Sequence, residues 1–319
     1  MSKLLNLLQD GRFHSGEDLG RALGVSRSAV WKQLQLLEED LGVTVHKVRG
    51  RGYRLAAPIS LLEEERLATG LGLLGWNVEV HQVIDSTNAQ ALRQVPKGIE
   101  RPLLILSERQ EAGRGRRGRE WISPYGANLY YSLVVPVQGG IKRLEGLSLV
   151  AGMAVVSCLK QQGVVDAQLK WPNDVLVRGQ KIAGILLELV GDPADQCHVV
   201  LGIGINANMR SAEGIDQEWS SIYLVTQMLA DRTELAIGLS KALAHYLTQL
   251  EAIGFSGLRQ EWEALHAWQG RKVNLIAGTQ VIAGEVLGVN DQGALRLNIA
   301  GNEEHFSGGE LSLRLRDDS

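Results

Sequence analysis

The sequence predicts a multidomain α+β protein. It has an N-terminal winged helix-turn-helix (residues 1–58), a central α/β domain (62–265) and a small C-terminal all-β barrel (268–319). Three shifts in composition point to this. The first 60 residues hold nine Lys and Arg against six Asp and Glu, a surplus hidden by the whole-chain count of 33 against 36. Ala56-Ala57-Pro58 closes that unit, and strand-like and helix-like segments then alternate to about residue 265. From 268 onward only short apolar runs remain, set between turn residues. A chain of 319 residues suits two or three domains of roughly 100–200 residues, and it can bury a core without staples.

Leu4, Leu5, Leu7 and Leu8 predict a short apolar helix, ended by Gly11. Ser15, with Asp18 three residues on, predicts the N-cap of a second helix with Leu19, Ala22 and Leu23 as its buried stripe and Gly24 as its close. Ser26 caps a third, in which Val30, Trp31, Leu34 and Leu37 recur at helical spacing. V-T-V-H-K-V (43–48), the turn R-G-R-G (49–52) and Y-R-L (53–55) predict a hairpin wing. In the central unit Val78 and Val80 alternate in a strand. Residues 103–106, 133–135, 182–187 and 199–205 read as further strands, and 147–160 and 235–253 as amphipathic helices. Strands are expected at 273–277, 281–289, 294–299 and 311–315, punctuated by Gly278, the run 290–293 and Ser307-Gly308-Gly309.

A net charge of −3 excludes a generically basic nucleic-acid coat, so DNA contact requires a local patch. Arg27, Ser28, Lys32 and Gln33 fall opposite the apolar stripe near the start of the third helix, where a recognition helix reaches base edges. Lys47, Arg49, Arg51 and Arg54 would lay the wing over phosphates. Arg12, Ser26 and Trp31 complete the candidate DNA-binding set. Two cysteines, Cys158 and Cys197, exclude a disulfide framework and a Cys-based zinc site. No apolar run approaches the ~20 residues that span a bilayer, and the N-terminus lacks the apolar stretch of a signal peptide. A cytoplasmic protein without a membrane partner is expected.

The chemistry concentrates in five segments. R-Q-E-A-G-R-G-R-R-G-R-E-W (109–121) holds five arginines and three glycines, a flexible backbone carrying forks that suit phosphate or carboxylate. It is not a Walker A loop, because no Gly-Lys-Ser/Thr follows. S-T-N (86–88) brings hydroxyls and an amide to a predicted helix N-terminus. K-W-P-N-D (170–174) sets a carboxylate beside an amide, a pair that suits Mg²⁺ with substrate phosphate but also an ordinary turn. K-I-A-G-I-L (181–186) heads an apolar strand with one lysine. G-I-G-I-N (202–206) has glycines at alternate positions, which predicts a bare sheet face open to a flat ligand.

Taken in chain order, S-T-N first and then the Arg/Gly run, the five segments resemble the biotin–protein ligase family, and the N-terminal helix-turn-helix resembles its bifunctional members, which are also biotin-operon repressors. Glu111 stands where that family often has Gln. The resemblance implies a ligase domain with a mixed sheet and an SH3-like C-terminal barrel. It implies activation of biotin by ATP and Mg²⁺ to biotinyl-5′-AMP, then transfer to a lysine of the biotin carboxyl carrier protein of acetyl-CoA carboxylase. Lys181, Arg114 and Arg116 would be catalytic. Ser86, Thr87, Asn88, Gln110, Arg114, Gly115, Arg116, Lys181, Trp121, Gly184 and Gly204 would bind biotin. Arg114, Arg116, Asn173, Asp174, Asn206 and Trp219 would bind the nucleotide, with Asp174 also placing Mg²⁺. Operator DNA would be read by a homodimer carrying the adenylate. Two alternatives remain open: a lipoate-type acyl-protein ligase, and a ligand-sensing repressor without catalysis.

Overall fold

The computed structural model describes residues 2–138, 145–191, 196–308 and 311–316, so Gly309 of the expected C-terminal turn lies outside the described residues. Three helices come first: α1 (Ser2–Leu8), α2 (Gly16–Leu23) and α3 (Arg27–Leu41). Ser15 and Ser26 cap the latter two by accepting from Asp18 N and Ala29 N, and Gly24 closes α2 in the left-handed region. Leu4, Leu5, Leu8, Leu19, Val30, Leu34 and Leu37 form their common core. Two residues depart from the expected stripes. Ala22 is exposed and Trp31 is 42% exposed, because each stands about 100° around its helix from the adjacent buried side. Leu41 takes the remaining apolar place on α3.

The wing is the antiparallel hairpin β1 (Val45–Val48) and β2 (Gly52–Leu55). His14 adds a third arm by exchanging two 2.9 Å backbone hydrogen bonds with Tyr53. A Cβ on Gly52 would sit 1.9 Å from the His14 carbonyl oxygen, and its φ is +98°, so glycine is required there.

The central unit contains α4 (Glu64–Leu71), β3 (Asn77–His81), α5 (Thr87–Gln94), β4 (Leu103–Ser107), β5 (Leu129–Gln138) and α6 (Leu147–Gln161). It continues with β6 (Ala167–Lys170), β7 (Asp174–Val177), β8 (Gln180–Gly191), β9 (Gln196–Ile205), α7 (Ile222–Thr226) and α8 (Arg232–Leu265). The seven strands form one sheet in the order β3-β4-β5-β9-β8-β7-β6. β3 and β4 pair in parallel and the others antiparallel, so the sheet is mixed. Gly254 (φ 68°) breaks α8 directly after residue 253, where the amphipathic pattern ends.

Strand register determines what each face carries. Tyr130, Gly204 and Gly184 lie in one row across β5, β9 and β8, and Ser132, Gly202 and Leu186 in the next. The other face carries Tyr131, Leu133, Leu201 and Ile203, buried in one cluster with Val155 of α6 and Leu235 and Leu239 of α8. Each fully buried leucine there contributes roughly 1.5–3 kcal/mol. On the first face, Ala91 and Val95 from α5 and its C-terminal cap cover Ile105, Val134 and Val200. The rows of glycines remain beyond the helix N-terminus.

The C-terminal unit is a five-stranded antiparallel sheet: β10 (Lys272–Ala277), β11 (Gln280–Val289), β12 (Leu295–Ile299), β13 (Asn302–Phe306) and β14 (Leu311–Leu315). Its order is β13-β12-β11-β10-β14. β13 is a strand that the sequence pattern does not announce, because Asn302, Glu303, Glu304 and His305 are all exposed and show no apolar alternation. Val273, Leu275, Leu297 and Leu313 belong to the same buried cluster as the central domain.

A buried ion pair ties the connection after Pro58 to the central domain. Arg232 and Glu108, 0% and 1% exposed, pair directly. Arg232 also donates to the carbonyls of Ser60 (2.9 Å) and Asn128 (2.8 Å), while Glu108 accepts from Leu62 N at 2.7 Å. Removing either partner leaves an uncompensated buried charge. Arg232→Ala or Glu108→Ala is expected to lower unfolding free energy by about 3–5 kcal/mol. Denaturant titration checks this, and a loss below ~1 kcal/mol contradicts it.

Candidate functional site

The first sheet face, the N-terminus of α5 and the Arg/Gly loop enclose one pocket. All eleven residues expected to bind biotin line it: Ser86, Thr87, Asn88, Gln110, Arg114, Gly115, Arg116, Trp121, Lys181, Gly184 and Gly204. Asn173 joins them. At one end the groups are uncharged and locked by mutual hydrogen bonds. Thr87 donates from N (2.9 Å) and Oγ1 (3.1 Å) to Gln110 Oε1, and Gln110 Nε2 donates to Ser123 Oγ at 3.0 Å. Ser132 Oγ meets Thr87 Oγ1 at 2.8 Å and Asn88 Oδ1 at 2.5 Å. Ser86 Oγ caps the helix by accepting from Ala89 N. Sequence reasoning misses Ser123 and Ser132, because an isolated serine carries no signal.

The glycine-lined face is not bare as expected. A Cβ on Gly202 would come within 2.2 Å of Asn88 Oδ1, and one on Gly204 within 2.4 Å of Trp121 Cε2. These glycines admit the Asn88 amide and the Trp121 indole, which then form the pocket wall. The sequence shows the missing side chains without showing which ones fill the gap.

The other end is cationic. Residues 113–121 fold back on themselves, with Gly115 N on Arg119 O (2.8 Å) and Trp121 N on Gly113 O (2.9 Å). A single 3-10 turn, Arg116–Gly118, forms the tip. Arg116 Nη1 donates to Asn173 Oδ1 at 2.6 Å, and Asn173 Nδ2 donates to Ile185 O at 2.8 Å. Arg114 pairs with Glu188 at 3.1 Å. Lys181 Nζ stands 5.5 Å from the Trp121 ring centre and 2.7 Å from Asp174 Oδ1.

Asp174 departs from its expected part. Its second oxygen pairs with Lys170 at 3.4 Å, so both oxygens face ammonium groups. Burial pushes its carboxyl up, but Lys181 and Lys170 outweigh burial and hold it below the ordinary carboxylate range. Burial draws the Lys170 ammonium down, against the opposing pull of Asp174. A carboxylate occupied by two lysines does not fit a magnesium ligand. Among the described residues no group of three or more His, Cys, Asp or Glu could hold a metal ion. In this structure Asp174 serves as an anchor for Lys181. Asn206 and Trp219 lie in an adjoining depression with Lys181 and Trp121. Asn206 Nδ2 donates to Ser220 O at 3.0 Å, which fixes the segment pairing Lys181 with Trp219.

The nine expected DNA-binding residues are all at least partly exposed: Arg12, Ser26, Arg27, Ser28, Trp31, Lys32, Lys47, Arg49 and Arg51. Four stand in the first turns of α3, and Arg49 and Arg51 at the wing turn. Phe13 carries Arg51 and Arg54 over its ring, at 4.3 and 5.1 Å from the centroid. Ser26 Oγ is engaged in capping and meets Ser28 Oγ at 2.9 Å.

Fold and site define a two-part protein, a winged helix-turn-helix reader joined to an enzyme domain with a polar small-molecule pocket bordered by an arginine-rich loop. Three family models match in succession: an HTH domain (1–54), the biotin/lipoate A/B protein ligase family (80–206) and the biotin protein ligase C-terminal domain (270–314). The chain belongs to the biotin protein ligase family, in its bifunctional ligase/repressor form. It is 42% identical to the bifunctional ligase/repressor BirA of Escherichia coli, over 98% of this chain and 96% of that one. It is 39% identical to the biotin–[acetyl-CoA-carboxylase] ligase of Paracoccus denitrificans, over 67% and 90% respectively. The biotin protein ligase of Aquifex aeolicus, solved with biotin and ATP, superposes with a TM-score of 0.66 at 29% identity, covering 75% of this chain and 99% of that one.

Proposed function

We propose that the protein activates biotin with ATP and Mg²⁺ to biotinyl-5′-AMP and transfers the biotinyl group to a lysine of the biotin carboxyl carrier protein of acetyl-CoA carboxylase. It also represses biotin-synthesis genes by binding operator DNA, with the adenylate as corepressor. What carries this reading is the convergence of Thr87, Asn88 and Gln110 with Arg114, Arg116 and Lys181 on one pocket, neutral at one end and cationic at the other.

The carboxylate oxygen of biotin attacks the α-phosphorus, and the bond to the β-phosphate oxygen breaks to release pyrophosphate. Both reactants are anions, so fixed cations lower the barrier. Arg114 and Arg116 hold the phosphates, with Asn173 aligning Arg116, and Gly115 lets the backbone approach closely. Lys181, anchored by Asp174, neutralises the carboxylate and then the charge on the acyl oxygen when the acceptor amine displaces AMP. Ser86, Thr87, Asn88 and Gln110 meet the ureido ring, and Trp121, Gly184 and Gly204 form the apolar wall. Asn206 and Trp219 border the adenine. When bound with ATP, Mg²⁺ would supply charge neutralisation on the triphosphate.

A lipoate-type ligase shares the central family model, but the C-terminal match is to biotin protein ligases. A sensor without catalysis has no use for a lysine anchored beside a phosphate clamp. The deciding assay is pyrophosphate release with biotin against lipoate, followed by label transfer to a carrier-domain peptide. Release with lipoate alone, or no release, overturns the reading. Gly202→Ala, which displaces the Asn88 amide, is expected to weaken biotin binding roughly 10- to 100-fold. Calorimetry with biotin checks it.

Three further points belong to this reading. The working units are 1–58, 62–265 and 268–319. The adenylate-bound protein is a homodimer on a two-fold operator. The protein acts in the cytoplasm, where ATP, carrier protein and operator meet. Among the described residues no helix is long and apolar enough to cross a membrane. Sedimentation with and without biotinyl-5′-AMP tests the dimer, and an unchanged assembly constant counts against it.

A further inference from the structure

We propose that Glu188 is the internal counter-anion of the arginine clamp, a positioning residue that holds Arg114 until a phosphate replaces it. This role rests on the ligase reading above. Glu188 stands on β8, on the same face as Gly184 and Leu186. One of its oxygens, Oε2, accepts from both Asn88 Nδ2 (2.8 Å) and Arg114 Nη2 (3.1 Å). It thereby bridges the neutral end of the pocket and the cationic end.

The two donors differ in freedom. Asn88 is buried, its Oδ1 meets Ser132 Oγ, and its amide packs where a Cβ on Gly202 would intrude. Its Nδ2 is therefore directed at Glu188. Arg114 has a side chain 42% exposed, on a loop that runs between Gly113 and Gly115. Asn88 fixes the carboxylate, and Arg114 is the partner that can leave. A phosphate offers the guanidinium two parallel charge-assisted hydrogen bonds and more charge than a carboxylate. It draws Arg114 away while Glu188 remains on Asn88.

Two consequences follow. In the empty site, Glu188 offsets one charge in a loop that also carries Arg116, Arg117 and Arg119, which eases their mutual repulsion. In the occupied site, the same carboxylate competes with the bound anion for Arg114 and repels it. Glu188 therefore weakens anion binding and hastens release of pyrophosphate and AMP.

The test is calorimetric titration of inorganic pyrophosphate, and separately of biotin, into the full chain. Glu188→Gln preserves shape and an acceptor for Asn88 but removes the charge. It is expected to bind pyrophosphate about five- to tenfold tighter, with biotin affinity within about twofold. In an Arg114→Gln background the same change should alter pyrophosphate affinity by less than about twofold. Unchanged or weaker pyrophosphate binding in Glu188→Gln overturns the role, and so does an equal gain in both backgrounds. Loss of biotin binding with an intact fold by circular dichroism also overturns it, because Glu188 would then be only a prop for Asn88. Failure of the ligase reading shows separately, as absence of biotin-dependent pyrophosphate release by the unmodified protein.

Discussion

Lys181→Ala is expected to slow adenylate formation by about 10²–10³ while changing ATP affinity far less. Lys181 is a single ammonium, 17% exposed, whose position is set by Asp174 at 2.7 Å and by backbone hydrogen bonds to Glu218 and Ser220 at 3.0 and 2.9 Å. Its charge matters most when two anions are forced together, so its loss falls on the transition state. Arg114 and Arg116, the proposed phosphate ligands, would still hold the nucleotide. Single-turnover rates and equilibrium ATP binding separate the two effects. A rate equal to that of the unmodified protein sinks the assignment, and an equal loss in both makes Lys181 a binding residue only. The lysine's anchor has a defined pH window. Asp174 titrates below its ordinary value, so the contribution of the pair is complete above the unfolded carboxylate pKa. It is lost only as pH falls through the lower folded value. Adenylation should therefore not be limited by this pair near neutral pH.

Replacing Arg27, Lys32, Lys47, Arg49 and Arg51 together by alanine is expected to weaken operator binding by roughly 10³ or more at moderate salt, with ligation retained. All five are exposed on α3 and the wing, and none of them lines the pocket. Every phosphate that the protein no longer neutralises should reduce the slope of log affinity against log salt by about 0.9. Fluorescence anisotropy across a salt series reads both quantities. An unchanged slope removes these residues from the interface.

The parts legible in the sequence are those whose chemistry is local. The arginine-glycine run, the caps at Ser15 and Ser26 and the apolar runs of β4 and β9 each state their structure within a few residues. Asp174 reads differently in sequence and in space because its partner is brought to it by long-range pairing. Across β7 and β8 the register is Val175 with Ala183 but Leu176 with Lys181, and this irregularity carries the Lys181 side chain toward Asp174. Glu188 gives no sequence signal, because one acid in an apolar strand has meaning only once α5 and the loop are folded over it. Arg232 and Glu108 are 124 residues apart in sequence, and neither alone differs from a surface charge.

The clamp made by Arg232 and Glu108 also bears on operator geometry. A reader on a slack tether would let two copies sample many separations along DNA, and spacer length would matter little. Here the chain at Ser60 and Leu62 is pinned within a few residues of the wing, so the reader is carried rather than trailed. In the proposed homodimer, the distance between half-sites then becomes a property of how the two pinned copies pair. Inserting or deleting half a turn of DNA between the half-sites should be poorly tolerated, and relaxing the pin should restore tolerance before it affects recognition of either half.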